Sequence, residues 1–194
     1  MRDMSFKTRA PDESGMKDLW RTPKHIFDAA NARFSFNVDL AASASNSLVP
    51  GHLGFIDEAA DALRTVWSTR DGQTRGWLNP PYSRTADFTA RCVDQSRKGA
   101  IVATLVPATV DVQWWHRDVI GIASECWLYT GRLAFIHPET GEPVSGNKGG
   151  SQLVIYTPGG PGWAGTRFGT LSHKTGLPVR PDDVAYWNAN VLGA

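Results

Sequence analysis

The chain has 194 residues, 41% of them hydrophobic and 20% charged, enough for one soluble globular domain with a sizeable core. No apolar run approaches the ~20 residues of a membrane span and no hydrophobic segment follows Met1, so a cytoplasmic protein without membrane partners is expected. A net charge of +1 weighs against a strongly basic nucleic-acid-coating domain; two cysteines, Cys92 and Cys126, exclude a disulfide scaffold and have no metal-site spacing.

Residues 1–17 are polar and unpatterned and read as a flexible extension. Order is expected from Leu19-Trp20-Arg21-Thr22-Pro23, with Thr22 as helix N-cap and Pro23 as first helical residue, and Ile26, Phe27, Ala30 and Phe34 form one face. Phe36 to Leu40 alternates as a strand and runs into the small residues Ala41 to Asn46, a sequence like a nucleotide-binding turn without its usual glycines. From Leu48 to Thr74 the pattern is poor, with a short helix expected at 58–66.

Gly76-Trp77-Leu78 reads as a strand that breaks at Asn79-Pro80-Pro81-Tyr82. Ser83 is expected to cap a helix carrying Phe88, Cys92 and Val93 and stopping at Gly99. Residues 100–107 form a continuous apolar run, as in a strand buried on both faces. Asp111 is expected to cap a helix bearing Val112, Trp115, Val119 and Ile122. Strands are expected at 125–129, 132–136 and 152–157, with a Gly/Pro-rich loop at 137–150 placed to reach a substrate. The tail, 158–194, carries Trp163, Phe168 and Trp187 and is expected to pack back on the domain or on a partner. Both cysteines are expected in the core, and no His/Cys/Asp cluster commits to a metal.

The Asn79-to-Tyr82 tetrad carries the chemistry. Pro81 fixes its own backbone and holds Pro80 extended, and neither proline has an N–H to compete for the Pro80 carbonyl. That carbonyl and the Asn79 amide oxygen are two acceptors suited to an amino group with two protons. Tyr82 adds a face on which a planar base can stack, worth roughly 1–3 kcal/mol. Holding an aromatic amine toward tetrahedral geometry localises its lone pair, so the pattern points to methyl transfer onto an amino group. The alternative is strand-end punctuation, but a strand-to-helix turn is where ligands bind in open α/β sheets. Arg84, beside the tetrad, is a candidate phosphate contact, although a solvated mixed-charge surface also explains it.

In order along the chain, Leu19 to Pro23 with Ile26-Phe27, Phe36 to Ser43 with Asn46, Asp61-Ala62-Leu63 with Trp67, Asn79 to Tyr82, Val106-Pro107-Ala108 through Asp111, Trp114-Trp115-His116 and Gly131 to Phe135 resemble the phage-type Dam-like DNA N6-adenine methyltransferases, over residues 18–157. The resemblance implies a single-domain α/β fold, a reduced Rossmann-like methyltransferase sheet flanked by helices, in a protein of phage or prophage origin working in a bacterial host cell. It implies S-adenosylmethionine as cofactor and duplex DNA with a flipped adenine as partner. Asn79, Pro80, Pro81 and Tyr82 would form the catalytic loop, with Asn79 also facing the cofactor. Trp20, Thr22 and Pro23 would lie against the cofactor's methionine end, with Asp39 and Ala41 in the turn beside it. Asp39 is an ion-pair partner for the α-ammonium or else an ordinary strand-end residue. Asp57 or Asp61 would reach the ribose or adenine, with a surface role open for either.

Two departures follow. The glycine-rich cofactor loop is replaced by Ala41 to Ser45, and only about forty residues separate Asp39 from Asn79, too few for several βα units of roughly thirty residues each. The sheet is therefore expected to be shortened between them. DNA contacts are expected from Arg84, Trp114, Arg132 and Lys148. Recognition of the surrounding sequence falls to the second half, to Arg132, the Lys148 loop and Trp114 or Trp115. Of the two tryptophans Trp114 is expected to be exposed and Trp115 in the core, and a structural ion pair is the alternative role for Arg132. The rival readings are methylation of cytosine N4 or of a protein glutamine, and a catalytically silent DNA-binding relative.

Overall fold

Three parallel strands lie side by side: β1 (Val38–Asp39), β2 (Arg75–Leu78) and β3 (Ile101–Pro107), with Asp39 opposite Trp77 and Leu78 opposite Thr104. The computed structural model describes residues 17–50, 54–67, 72–144 and 149–192, so the expected extension, apart from Lys17, and Lys148 lie outside the described residues. Beyond β3 the order is not that of the chain. β4 (Glu125–Tyr129) is separated from β3 by β5 (Ser151–Tyr156), antiparallel to both, and β6 (Arg167–Leu171) adds parallel to the far side of β4. Among the described residues four helices flank the sheet: α1 (Lys24–Phe34), α2 (Thr85–Arg97), α3 (Gln113–Asp118) and α4 (Pro181–Ala189). The result is the mixed α/β, Rossmann-like single domain expected, and the described part of the β1–β2 connection contains no helix.

β3 shows why both faces must be covered. Ile101, Ala103 and Leu105 join one apolar cluster with Phe27, Phe34, Trp77 and Trp127, while Val102 and Val106 join another with Phe88, Cys92, Val119 and Cys126. Both cysteines are fully buried. Close approach dictates the glycine in β2: a Cβ on Gly76 would run into the Leu40 side chain. Gly99, with φ +105°, lies just beyond α2, as its sequence position suggested.

Several expected boundaries move. Pro23 occupies the N-cap position of α1 with extended backbone, its carbonyl accepting from Ile26 N and Phe27 N, so Thr22 does not cap and its buried hydroxyl has no partner. The expected strand at 36–40 keeps two ladder residues, although Asn37 N and Leu40 N donate to the Arg75 and Trp77 carbonyls beyond them. No helix forms at 58–66: the Asp57 and Asp61 side chains accept from Ala60 N and Leu63 N, closing turns, and Asp61 is left-handed at φ +50°. Ser83 does not cap α2 either; a 3₁₀ turn over Tyr82–Arg84 precedes it, and Ser83 bonds Asp18 instead.

Asp111 is exposed and Val112 takes the N-cap of α3, which ends at Asp118, well short of Ile122. Residues 132–136 form no strand but only isolated bridges from Ile136 to Arg21 and Pro143. Their alternation reflects Leu133 and Phe135 entering the core.

The stretch after 158 holds β6 and α4. A Cβ on Gly169 of β6 would meet the Trp127 ring, so glycine allows the two strands to pack with that ring between them and α4. Arg33, 2% exposed, makes a bidentate pair with Glu125 at 2.7 Å for both contacts, and its guanidinium lies 4.5 Å from the Trp187 ring centroid. This pair joins α1, β4 and α4 in one buried cluster.

Candidate active site

The carboxyl ends of β1 and β2 open onto a cavity of about 770 Å³. This is the expected position for a ligand in an open α/β sheet. Trp20, Thr22, Asp39, Ala41, Asp57, Asp61, Asn79, Pro81 and Arg84 all line it. Residues separated by up to about sixty positions in the chain are thus brought to one cavity.

Asp39 ends β1 and is 4% exposed. Its Oδ2 accepts from Leu48 N at 3.2 Å and Ser47 Oγ at 3.3 Å. Burial outweighs these bonds and pushes the carboxyl up to about 6. The turn after it compensates for its missing glycines with Asn46, whose Oδ1 accepts from Ser43 N at 2.6 Å. Asn46 belongs to one of the blocks quoted for the resemblance, but its turn-closing role was not legible from composition.

At the end of β2, Asn79 donates from Nδ2 to the Trp20 carbonyl at 2.9 Å. That bond leaves Oδ1 buried without a partner. The Pro80 carbonyl also accepts no hydrogen bond among the described residues. Two unengaged acceptors therefore flank the turn, as a group that must receive an amine requires. Pro81, at φ −50° and ψ 125°, holds the backbone extended before the 3₁₀ turn. Asp18, which the sequence did not single out, anchors that turn by accepting from Ser83 N at 3.0 Å and Ser83 Oγ at 2.5 Å.

Tyr82 does not line the cavity. Its ring meets Phe135 edge-on, with centroids 5.9 Å apart, and its hydroxyl points to no hydrogen-bond partner. Ser151 and Tyr129 lie near it, their hydroxyls also unpartnered, and burial raises the Tyr82 and Tyr129 phenols above their usual range. Pro23 and Pro80 likewise stay out of the lining, as backbone supports.

Asp57 and Asp61 both line the cavity while accepting local turn bonds, so the geometry does not choose between them. Among the residues named for DNA, Arg84 lies at the cavity but pairs with Asp87 at 3.3 Å. Arg132 is exposed on the segment that carries Phe135 and makes no ion pair among the described residues. Trp114 is half-buried against the second core cluster, less exposed than expected, and Trp115 is in the core at 8% exposure. Lys148 lies outside the described residues.

The model of the DNA N-6-adenine-methyltransferase (Dam) family matches residues 7–167, more than four-fifths of the chain. The chain belongs to that family. A DNA N-6-adenine-methyltransferase of Escherichia phage T1 is 29% identical over 163 residues, 76% of this chain and 65% of that protein. A protein of the same name from Haemophilus phage HP1 is 29% identical over 157 residues, 79% of this chain and 87% of the relative. The chain thus spans just under two thirds of the T1 protein. The Dam family match takes in the cavity, the tetrad and the segment around Phe135, and stops before α4. No helix among the described residues is long and apolar enough to cross a membrane.

Proposed function

We propose that the chain methylates N6 of adenine in DNA, using S-adenosylmethionine. The observation that carries this reading is the partnerless Asn79 Oδ1, buried in the turn after β2 at a cavity that the buried Asp39, at the end of the neighbouring strand, also lines.

The residues present fit the cofactor. Asp39 would take its α-ammonium, and that charge would relieve the burial that lifts the carboxyl to about 6. Trp20, Thr22 and Ala41 would border its methionine end, while Asp57 or Asp61 would reach the nucleoside. When bound, the cofactor supplies an electrophilic methyl group on a sulfonium that leaves as a neutral thioether. The chain's own contribution is to orient the acceptor amine.

Asn79 Oδ1 and the Pro80 carbonyl would accept hydrogen bonds from the two N6 hydrogens, localising the nitrogen lone pair toward the methyl carbon, and the methylated nitrogen would then release one of those protons to solvent. A paired adenine must first leave the duplex at a cost of a few kcal/mol. The Tyr82 ring would offset part of this by turning from its edge contact with Phe135 to stack on the base. Arg84 and Arg132 would contact the strand.

The deciding experiment is incubation of the purified chain with S-adenosylmethionine and unmodified duplex DNA, followed by nuclease digestion and mass analysis. N6-methyladenine is the expected product. N4-methylcytosine, or methyl incorporation only into a protein substrate run in parallel, would move the assignment to a rival substrate. DNA binding without cofactor binding would make the chain a silent relative.

A further inference from the structure

Arg21 lines the cavity, and nothing among the described residues neutralises its permanent charge. It belongs to none of the ion pairs of the described residues, and its Nε is sealed from solvent with no acceptor. Its main chain is held in place at the cavity: Arg21 N donates to the Ile136 carbonyl at 3.0 Å and Ile136 N donates back at 2.9 Å. Burying part of an unpaired guanidinium is costly unless an anion arrives to meet it. The other arginine on the wall, Arg84, is already paired with Asp87.

The cavity is also lined by the buried acid Asp39, which accepts hydrogen bonds but has no cationic partner among the described residues, and no ion pair joins it to Arg21. The lining of one cavity thus includes an acid and a guanidinium that do not pair with each other. Such an arrangement is complementary to an α-amino acid group, which carries an ammonium and a carboxylate on one carbon.

We infer that Arg21 is the carboxylate-binding residue of this site, gripping the α-carboxylate of the cofactor's amino acid end while Asp39 takes the ammonium. The inference rests on the cavity being the cofactor site. The fork of the guanidinium suits a carboxylate bidentately, and the bond to Asn79 through the neighbouring Trp20 carbonyl couples this grip to the catalytic turn.

The test is calorimetry on the full chain with S-adenosylhomocysteine and its decarboxylated analogue, for wild type and R21Q. Removing the carboxylate is expected to cost wild type about 10- to 100-fold in affinity and to cost R21Q almost nothing. R21K should recover part of the loss, as a point charge without the fork. Equal affinity of wild type and R21Q for S-adenosylhomocysteine overturns the inference. So does an equal loss of both ligands in R21Q, or a loss confined to DNA with a shallower salt dependence, which would make Arg21 a phosphate contact. Failure of wild type to bind either ligand would instead sink the reading of the cavity itself.

Discussion

Asn79 holds the Trp20 carbonyl through its amide nitrogen, at 2.9 Å, and in doing so turns its amide oxygen into a buried, unpartnered acceptor. An amide with one fixed end cannot flip to present its donor side, so the bond to Trp20 sets which chemistry the rim offers. The segment ahead of α1 and the turn after β2 therefore act together.

Asn79→Ala removes both the acceptor and the tie to Trp20, and turnover should fall by on the order of 10²–10³, the usual loss for one preorganised polar contact. Asn79→Asp keeps an acceptor but loses the donor, so it should retain more turnover than the alanine variant. Transfer of labelled methyl groups into DNA measures both, and full activity in Asn79→Ala would remove the residue from the mechanism.

Tyr82→Phe should methylate DNA nearly as well as wild type, because the hydroxyl it loses has no partner in the fold. Tyr82→Ala should raise the KM for DNA by the roughly 1–3 kcal/mol that base stacking is worth, with S-adenosylhomocysteine affinity unchanged. A Phe variant as impaired as the Ala variant would mean that the hydroxyl, not the ring face, does the work.

Asp39 gives a pH dependence of definite sign. Its carboxyl titrates near 6 in the fold, against 3.8 as the ordinary value, so between those values the folded state binds more protons than the unfolded one. The cofactor-free protein should therefore lose stability as pH rises from about 4 to 6, by on the order of 3 kcal/mol in all. Asp39→Asn should flatten that slope in urea unfolding. Binding an ammonium needs the charged form, so S-adenosylhomocysteine affinity should drop as pH falls through 6 in wild type and stay level in the variant.

Glu125→Gln, or Arg33→Met, leaves one member of a buried ion pair without its counter-charge. Either should cost about 3–5 kcal/mol of stability, read from the urea midpoint. Glu125 also accepts from Trp127 Nε1 at 2.7 Å and from the Tyr186 hydroxyl at 3.2 Å, so the loss should spread to α4. A cost below 1 kcal/mol would show that the cluster tolerates an isolated charge.

What could be read ahead from residues was local. The apolar run of β3, the stop at Gly99, the apolar face of α1 and the stiff turn at Asn79 to Tyr82 all depend on neighbours within a few positions. Partners far along the chain left no such trace. Arg33 looks like a solvated helix residue until Glu125 meets it, and Ser83 looks like a cap until Asp18 claims it. Leu133 and Phe135 alternate as strand residues do, yet they only fill the core. The cavity's acids came from the family resemblance and its shortened β1–β2 connection from spacing; the lone charge of Arg21 was not legible, since pairing is a property of the assembled cavity.

The placement of β5 between β3 and β4 has a consequence for synthesis. Each neighbour of β4 lies later in the chain than β4 itself. As the polypeptide leaves the ribosome, β4 must wait on the order of seconds with both edges bare. Glu125 waits with it, opposite an Arg33 that has already emerged, and unpaired edges of this kind are templates for association between nascent chains. Production of the protein should thus depend on chaperone supply and slow growth temperature more strongly than its final packing would suggest.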